Sequence, residues 1–260
     1  MYNFTLSELC ICAASEAWRG DGEVLATGIG LIPRLAASLA KLTHSKDLMI
    51  TDGEAYLVSE PVPVGPRGNY TPKIEGSMNY SRVFLNLWKG HRHAMTGPVQ
   101  IDKYGQTNIS FIGDKANQPK AQLLGSRGFP GNTINHSNSM FVPKHNQRSF
   151  VSGEVDMVSG LGYNPSRRLE GMRDDFINLK LIISDLAVLD FQGPDHQINV
   201  RSLHPGVKLE EVQKNTGFDL AIESPNIPET AIPTEEQLSL IRKFLDPHNL
   251  REKSLPDKEK

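Results

Sequence analysis

Apolar residues along this chain switch between two spacings. Leu6, Leu9, Cys10, Ala13 and Ala17 recur at helical intervals and predict an amphipathic helix over 6–19. Thr5 or Ser7 suits its start, and Gly20-Asp21-Gly22 its end. A short strand is expected over 23–26, then the tight turn Thr27-Gly28-Ile29-Gly30. A Leu- and Ala-rich helix follows over 31–42, with Pro33 in its first turn. Leu48, Met49 and Ile50 read as a second strand. Strand, glycine turn, helix, strand is the unit that builds parallel sheets.

Beyond it the signals are shorter. Residues 61–72 are rich in proline and glycine and read as an irregular surface loop. A helix is expected over 77–88, strands over 94–100 and 108–112, and a turn at Asp102-Lys103-Tyr104-Gly105 between them. Residues 122–138 show neither period and read as one long loop, a length that compact domains reserve for function or disorder. Strands are expected over 148–151 and 179–183, with Ser184-Asp185 interrupting the second before it continues over 187–191 and pairs with 200–203. Two helices close the pattern, over 209–215 and 234–245. Thr234 caps the latter, whose stripe is Leu238, Ile241 and Leu245. The tail from Arg251 is charged and reads as frayed. The expected fold is α/β, an open, mainly parallel sheet flanked by helices, as a single domain over 1–250 with a tail over 251–260.

Composition narrows the function classes. With 28 basic and 30 acidic residues the formal charge is −2, which gives no reason to expect nucleic acid or an anionic membrane as partner. The first residues lack the basic start and unbroken apolar core of a secretory leader, and no run approaches a membrane span. Cys10 and Cys12, two apart on a helix, point in different directions, so reduced thiols and a cytoplasmic location are expected. The histidines have no metal-ligand spacing, and no metal is expected. His91 and His93 fall where a surface loop is expected, and His196 in a turn.

Three segments could carry chemistry. Thr51-Asp52-Gly53-Glu54 ends a strand with two carboxylates, at the place where open α/β sheets bind ligands; the alternative is a solvated loop. Thr27-Gly28-Ile29-Gly30 could offer backbone N–H groups to an anion, or be only a tight strand-to-helix turn. In the loop over 125–136, Gly128 and Gly131 permit close approach of a ligand, Arg127 suits phosphate or carboxylate, and Asn132, Thr133, Asn135 and His136 could line an acyl group. The alternative there is a polar surface loop.

Taken together, these segments resemble the β subunit of the family I coenzyme A transferases over most of the chain. Leu181-Ile182-Ile183-Ser184-Asp185-Leu186-Ala187-Val188 resembles the family's strand ending in Thr-Asp-Leu-Ala-Val. His204-Pro205-Gly206-Val207, Glu210-Glu211-Val212 and Thr216-Gly217 resemble its Pro-Gly-Val, Glu-Glu-Val and Thr-Gly. The departures are as informative. The family's Ser-Glu-Asn-Gly, whose glutamate forms the covalent acyl and CoA intermediates, is replaced by Thr51-Asp52-Gly53-Glu54. Its glycine-rich Gly-x-Gly-Gly-Ala-Met-Asp loop is replaced by Gly128 to His136.

With Ile74-Glu75-Gly76 and Gly193-Pro194-Asp195-His196, these replacements resemble a steroid ring-cleaving branch of the family. That resemblance implies an α2β2 heterotetramer with a separate α subunit, an acyl-CoA substrate, and hydrolytic opening of a cyclohexenone carboxyl-CoA ring by a retro-Claisen step. It implies no cofactor beyond the CoA carried by the substrate, and a general base on the α subunit. In this chain it implies Asn135 and His136 as donors, Glu54 or Asp52 as supporting carboxylates, and Arg127, Gly128, Gly131, Asn132 and Thr133 as thioester or CoA contacts. A conventional CoA transferase (3-oxoacid or glutaconate type) and a non-catalytic ligand-sensing α/β domain are the alternative readings.

Overall fold

The computed structural model describes residues 2–53, 56–173, 175–222 and 226–256. The chain forms two compact units, Met1–Thr96 with Ala231–Lys260, and Gly97–Thr230. In the first, α1 (Leu6–Ser15) opens with a reciprocal cap: Thr5 Oγ1 accepts from the Glu8 N–H and the Glu8 carboxylate accepts from the Thr5 N–H. Ser7 to Ser15 are all buried, so α1 is enclosed all round, and the one-faced amphipathic reading is corrected. Glu8 can lie inside because two guanidinium groups meet it, Arg242 at 2.7 Å and Arg251 at 2.8 Å. Arg251 also binds Asp246 at 3.0 Å. The tail therefore does not fray at its start. Leu250–Ser254 is a helix with Arg251 buried, because the ion pairs hold it; residues 257–260 lie outside the described residues.

Burial works against the Glu8 charge, but the Arg242 hydrogen bonds, the Thr5 N–H and the Arg251 charge outweigh it and hold the carboxyl below its ordinary value. The stabilisation is thus complete above the unfolded-chain value and lost as pH falls through the lower folded one. Glu8→Gln should leave the buried Arg251 and the solvent-facing Arg242 short of a partner and cost about 3–5 kcal/mol. Thermal melts of the assembled protein check this; equal melting temperatures at pH 7 would show the cluster to be dispensable.

β1 (Leu25–Gly28) leads into α2 (Leu31–Leu42), and β2 (Ile50–Asp52) follows. β2 forms a small antiparallel sheet with β3 (Tyr56–Val58) and β4 (Ile74–Ser77). After α3 (Tyr80–Trp88), β5 (Arg92–Thr96) pairs with β1 in parallel, Leu25 opposite Arg92 and Gly28 opposite Met95. His93, expected on a surface loop, is instead fully buried in β5, where its Nδ1 lies 2.6 Å from Asp21; His91 is exposed. Near the C-terminus Thr234 caps Glu235–Leu240 with a second capping box, and Leu238, Ile241 and Leu245 are buried as the stripe predicts.

In the second unit β6 (Gln100–Ile101) and β7 (Thr107–Asn108) form a hairpin around the Asp102–Gly105 turn, and β8 (Phe111–Ile112) pairs with β9 (Ala121–Gln122). The expected strand over 148–151 reduces to one bridge, Ile101 to Phe150. The long segment over 122–138 is not a single loop. It contains α4 (Phe129–Asn135), and β10 (Ser137–Val142) starts directly after. β10 runs parallel to β11 (Asn178–Ser184). β12 (Ala187–Asp190) does not continue β11 but folds back antiparallel, because Ser184 Oγ accepts the N–H groups of Leu186 and Ala187 and closes the turn. β13 (Asn199–Leu203) pairs with β12, and α5 (Leu209–Lys214) follows. Met140, Val142, Phe150, Ile182, Leu189, Val200 and Val212 form the core between these elements.

Cys10 and Cys12 are buried free thiols, and burial, with the Glu8 and Glu16 charges, pushes Cys12 up to about 12. No helix among the described residues is long and apolar enough to cross a membrane.

Candidate functional site

In the first unit the strand ends do meet. A cavity of about 200 Å³ is lined by Thr27 and Gly28 at the end of β1, Arg34 of α2, Thr51 of β2 and Gly53 just beyond it. The glycine turn has a packing reason. A Cβ on Gly28 would stand 2.2 Å from the Pro33 carbonyl oxygen, so only glycine lets α2 sit this close to the strand. The Ile29 N–H donates to Met95 O, which commits one of the turn's amides to β5. Of the two readings of this turn, the tight connection accounts for both observations.

Asp52 closes β2 with its side chain largely buried and receives Arg67 in a two-pronged contact, Nη1 to Oδ2 at 2.8 Å and Nη2 to Oδ1 at 2.6 Å. Arg34 Nη2 is 4.0 Å from the same carboxylate. Asp52 is therefore a clamped anion, with both oxygens directed at a guanidinium. Sequence reading missed Arg67, whose signal was a lone cation inside the proline-rich loop. Glu54 lies outside the described residues.

In the second unit the 125–136 segment owes its shape to a helix with polar residues on its inner face. Phe129, Asn132, Thr133 and His136 follow helical spacing and all are buried. Gly128 precedes the helix, and Pro130 fits its first turn. Thr133 Oγ1 donates to Pro130 O at 3.1 Å and accepts the Leu161 N–H at 2.9 Å. Gly160 makes room for this, since a Cβ there would stand 2.6 Å from the Phe129 ring and 3.0 Å from the Thr133 methyl. Asn135 Nδ2 donates back to Gly131 O at 2.8 Å. Thr133 and Asn135 thus hold the helix together through the groups expected to meet a ligand. Arg127 is exposed, in a left-handed conformation at φ 49°, with no ion-pair or hydrogen-bond partner among the described residues.

His136 is different. Its Nδ1 lies 2.8 Å from Ser137 O, and a carbonyl only accepts, so Nδ1 carries the proton. In the neutral ring Nε2 then holds a lone pair: it accepts a proton or hydrogen bond, and becomes a donor only once protonated. Asn138, absent from the expected site, anchors this residue by donating Nδ2 to both Asn132 O at 3.0 Å and His136 O at 2.8 Å.

The other histidines of the second unit serve the framework. His145 is held between Ser184 Oγ and Thr216 Oγ1, each at 2.9 Å, and stacks on Phe150. His204 reaches Thr230 Oγ1 and Ser184 O. His196 lies in a turn, stacked on Tyr163.

No family model matches the chain. A cholesterol ring-cleaving hydrolase IpdB subunit from Rhodococcus jostii strain RHA1 is 41% identical over 258 residues, covering 96% of each chain. The crystal structure of Rhodococcus jostii RHA1 IpdAB superposes with a TM-score of 0.89 at 40% identity, over 98% of this chain and 99% of that one. More distantly, a subunit of the 3-oxoadipate CoA-transferase of Pseudomonas knackmussii is 29% identical over 257 residues, 93% of this chain and 94% of that one.

Proposed function

The chain belongs to the family of IpdB subunits of cholesterol ring-cleaving hydrolases, and from that membership we propose that it is the β subunit of an enzyme that opens the last steroid ring. It works with an α subunit in a heteromer of the CoA-transferase fold. The substrate is a cyclohexenone carboxyl-CoA thioester. Water adds to the ring ketone β to the thioester carbonyl. The carbon–carbon bond between the ketone carbon and the thioester α-carbon breaks, and its electrons form the thioester enolate, which a proton then quenches. The single product is an open-chain acyl-CoA that carries the ketone carbon as a free carboxylate. The CoA travels on the substrate, and the chain supplies no cofactor of its own. The reduced, buried Cys10 and Cys12 fit a cytoplasmic enzyme.

The residue that carries the assignment is Asp52. A transferase needs a mobile glutamate that attacks the thioester. Asp52 is one methylene shorter and both its oxygens are clamped by Arg67. Hydrolysis by water needs no such nucleophile. It needs a base, which the resemblance puts on the α subunit, and groups that manage the water proton and the enolate. His136 suits the second task. With Nδ1–H on Ser137 O, its Nε2 is assigned to the attacking water and, once protonated, to the enolate, a role that requires the assembled site to open onto this buried ring. Arg127 faces solvent free to meet an anionic group of the CoA thioester.

Turnover in isotopically labelled water, with borohydride trapping and mass spectrometry of both subunits, tests this reading. The label should enter the new carboxylate in every turnover, and Asp52 should stay unmodified. A reduced or CoA-bearing Asp52 would restore the transferase reading, and binding without turnover by the complete complex would favour the ligand sensor.

A further inference from the structure

One feature of the first unit serves neither the core nor the proposed chemistry. α3 is anchored by a narrow face, Val83 and Leu87, with Val83 packing beside Leu25 and Met78. The neighbouring face is apolar and open to solvent: Tyr80 is 71% exposed, Trp88 68%, Leu85 44% and Phe84 41%. The rings form a continuous row, with centroids 6.3 Å apart from Tyr80 to Phe84 and 6.1 Å from Phe84 to Trp88. Each aromatic side chain buries roughly 150–250 Å² when covered, so the row represents several hundred Å² of apolar surface, a size that marks interaction sites.

We propose that this row is the anchor against which the α subunit docks. The inference rests on the two-subunit reading of the function and locates the contact on this chain. Charge selects the occupant. Between Glu75 and Asp102 there is no acidic residue, while Arg82 and Lys89 border the row with no ion-pair partner among the described residues. A second copy of this chain, related by a twofold axis, would set that basic rim against itself. A different chain with an acidic rim around an apolar pocket is complementary. Rows of Trp and Tyr at the centre of a patch are also what dominates binding energy at protein interfaces.

Photocrosslinking of the co-expressed complex tests the assignment, with benzoylphenylalanine in place of Phe84 and, separately, of Trp88. The expected product is an adduct with the mass of α plus β. In parallel, the pair Phe84→Ser and Trp88→Ser, both on the surface, should weaken α binding at least about tenfold while leaving the β-chain circular dichroism unchanged. An adduct of two β chains, adducts at neither position in an intact complex, or unimpaired assembly of the serine variant overturns the docking surface. So does sedimentation of the row on anionic lipid vesicles with no α adduct. If the unaltered chain never pairs with an α subunit, the two-subunit reading itself falls, a result separate from the others and one that removes the proposal with it.

Discussion

Purified without its α subunit, this chain should show no measurable opening of a cyclohexenone carboxyl-CoA thioester, and mixing with α should restore turnover by at least ~10⁴-fold. Within this chain the obvious carboxylate, Asp52, is clamped by Arg67, and the hydroxyl of Thr133 and the amide of Asn135 are committed to α4 itself. His136, to which the proton-steering role is assigned, is an imidazole and not the carboxylate base that the resemblance assigns to the partner. The lone chain should also aggregate non-specifically, without forming a defined twofold dimer, since Tyr80, Phe84 and Trp88 are exposed. Steady-state assays of the separate and mixed subunits, with light scattering for aggregation, measure both effects. Full activity in a scattering-free preparation of this chain alone would end the two-subunit account.

What could be read from residues alone divides along a physical line. Where an element buries apolar side chains at regular intervals, the pattern locates it closely: α2 spans 31–42 as read, and Thr234 caps the C-terminal helix as its Thr-x-x-Gln spacing requires. α4 was invisible because its inner face is Asn132, Thr133 and His136 beside Phe129. A period computed from apolar residues skips such a face. Thr133 is met by the Leu161 N–H, His136 Nδ1 by Ser137 O, and the Asn132 backbone carbonyl by Asn138, contacts that form only in the folded chain. Arg67 escaped notice for the same reason: its partner Asp52 lies across a loop with no period of its own. α1 misled in the opposite sense, since its spacing reads as one apolar face, yet Glu8, outside that face, is the centre of a buried ion-pair cluster.

The motifs that gave the family away are instructive in another respect. Ser184, His204 and Thr216 are neither nucleophile nor base. Ser184 closes the β11–β12 turn, His204 ties it to Thr230, and Thr216 completes the cradle of His145. Ser184 stands where the family has threonine, another hydroxyl able to accept the same N–H groups, and a buried hydrogen-bond network of this kind tolerates few substitutes. The proposed chemistry draws on the places where the resemblance fails, Asp52 and the segment 128–136. A shared framework with exchanged reactive groups is how one fold moves from acyl-group transfer to hydrolysis.

His136 is where that exchange should be measurable. In the assembled enzyme His136→Ala should lower kcat by about 10²–10³, with a smaller change in KM, because the group acts on the attacking water and the developing enolate rather than on the bound ground state. Asn135→Ala should cost far less, no more than about tenfold, since its amide is directed at Gly131 O and its loss chiefly loosens one helical turn. Asn138→Ala supplies the control for placement. It frees the carbonyls of Asn132 and His136 and should lower kcat in the presence of His136, yet have little further effect once His136 is already alanine. Steady-state kinetics with melting temperatures for the four variants, the double mutant included, decide the matter. A silent His136→Ala would make α4 a structural helix. A larger loss for Asn135→Ala than for His136→Ala would transfer the catalytic role to the amide. Equal losses for Asn138→Ala in both backgrounds would mean that Asn138 supports the strand and helix generally rather than the placement of one imidazole.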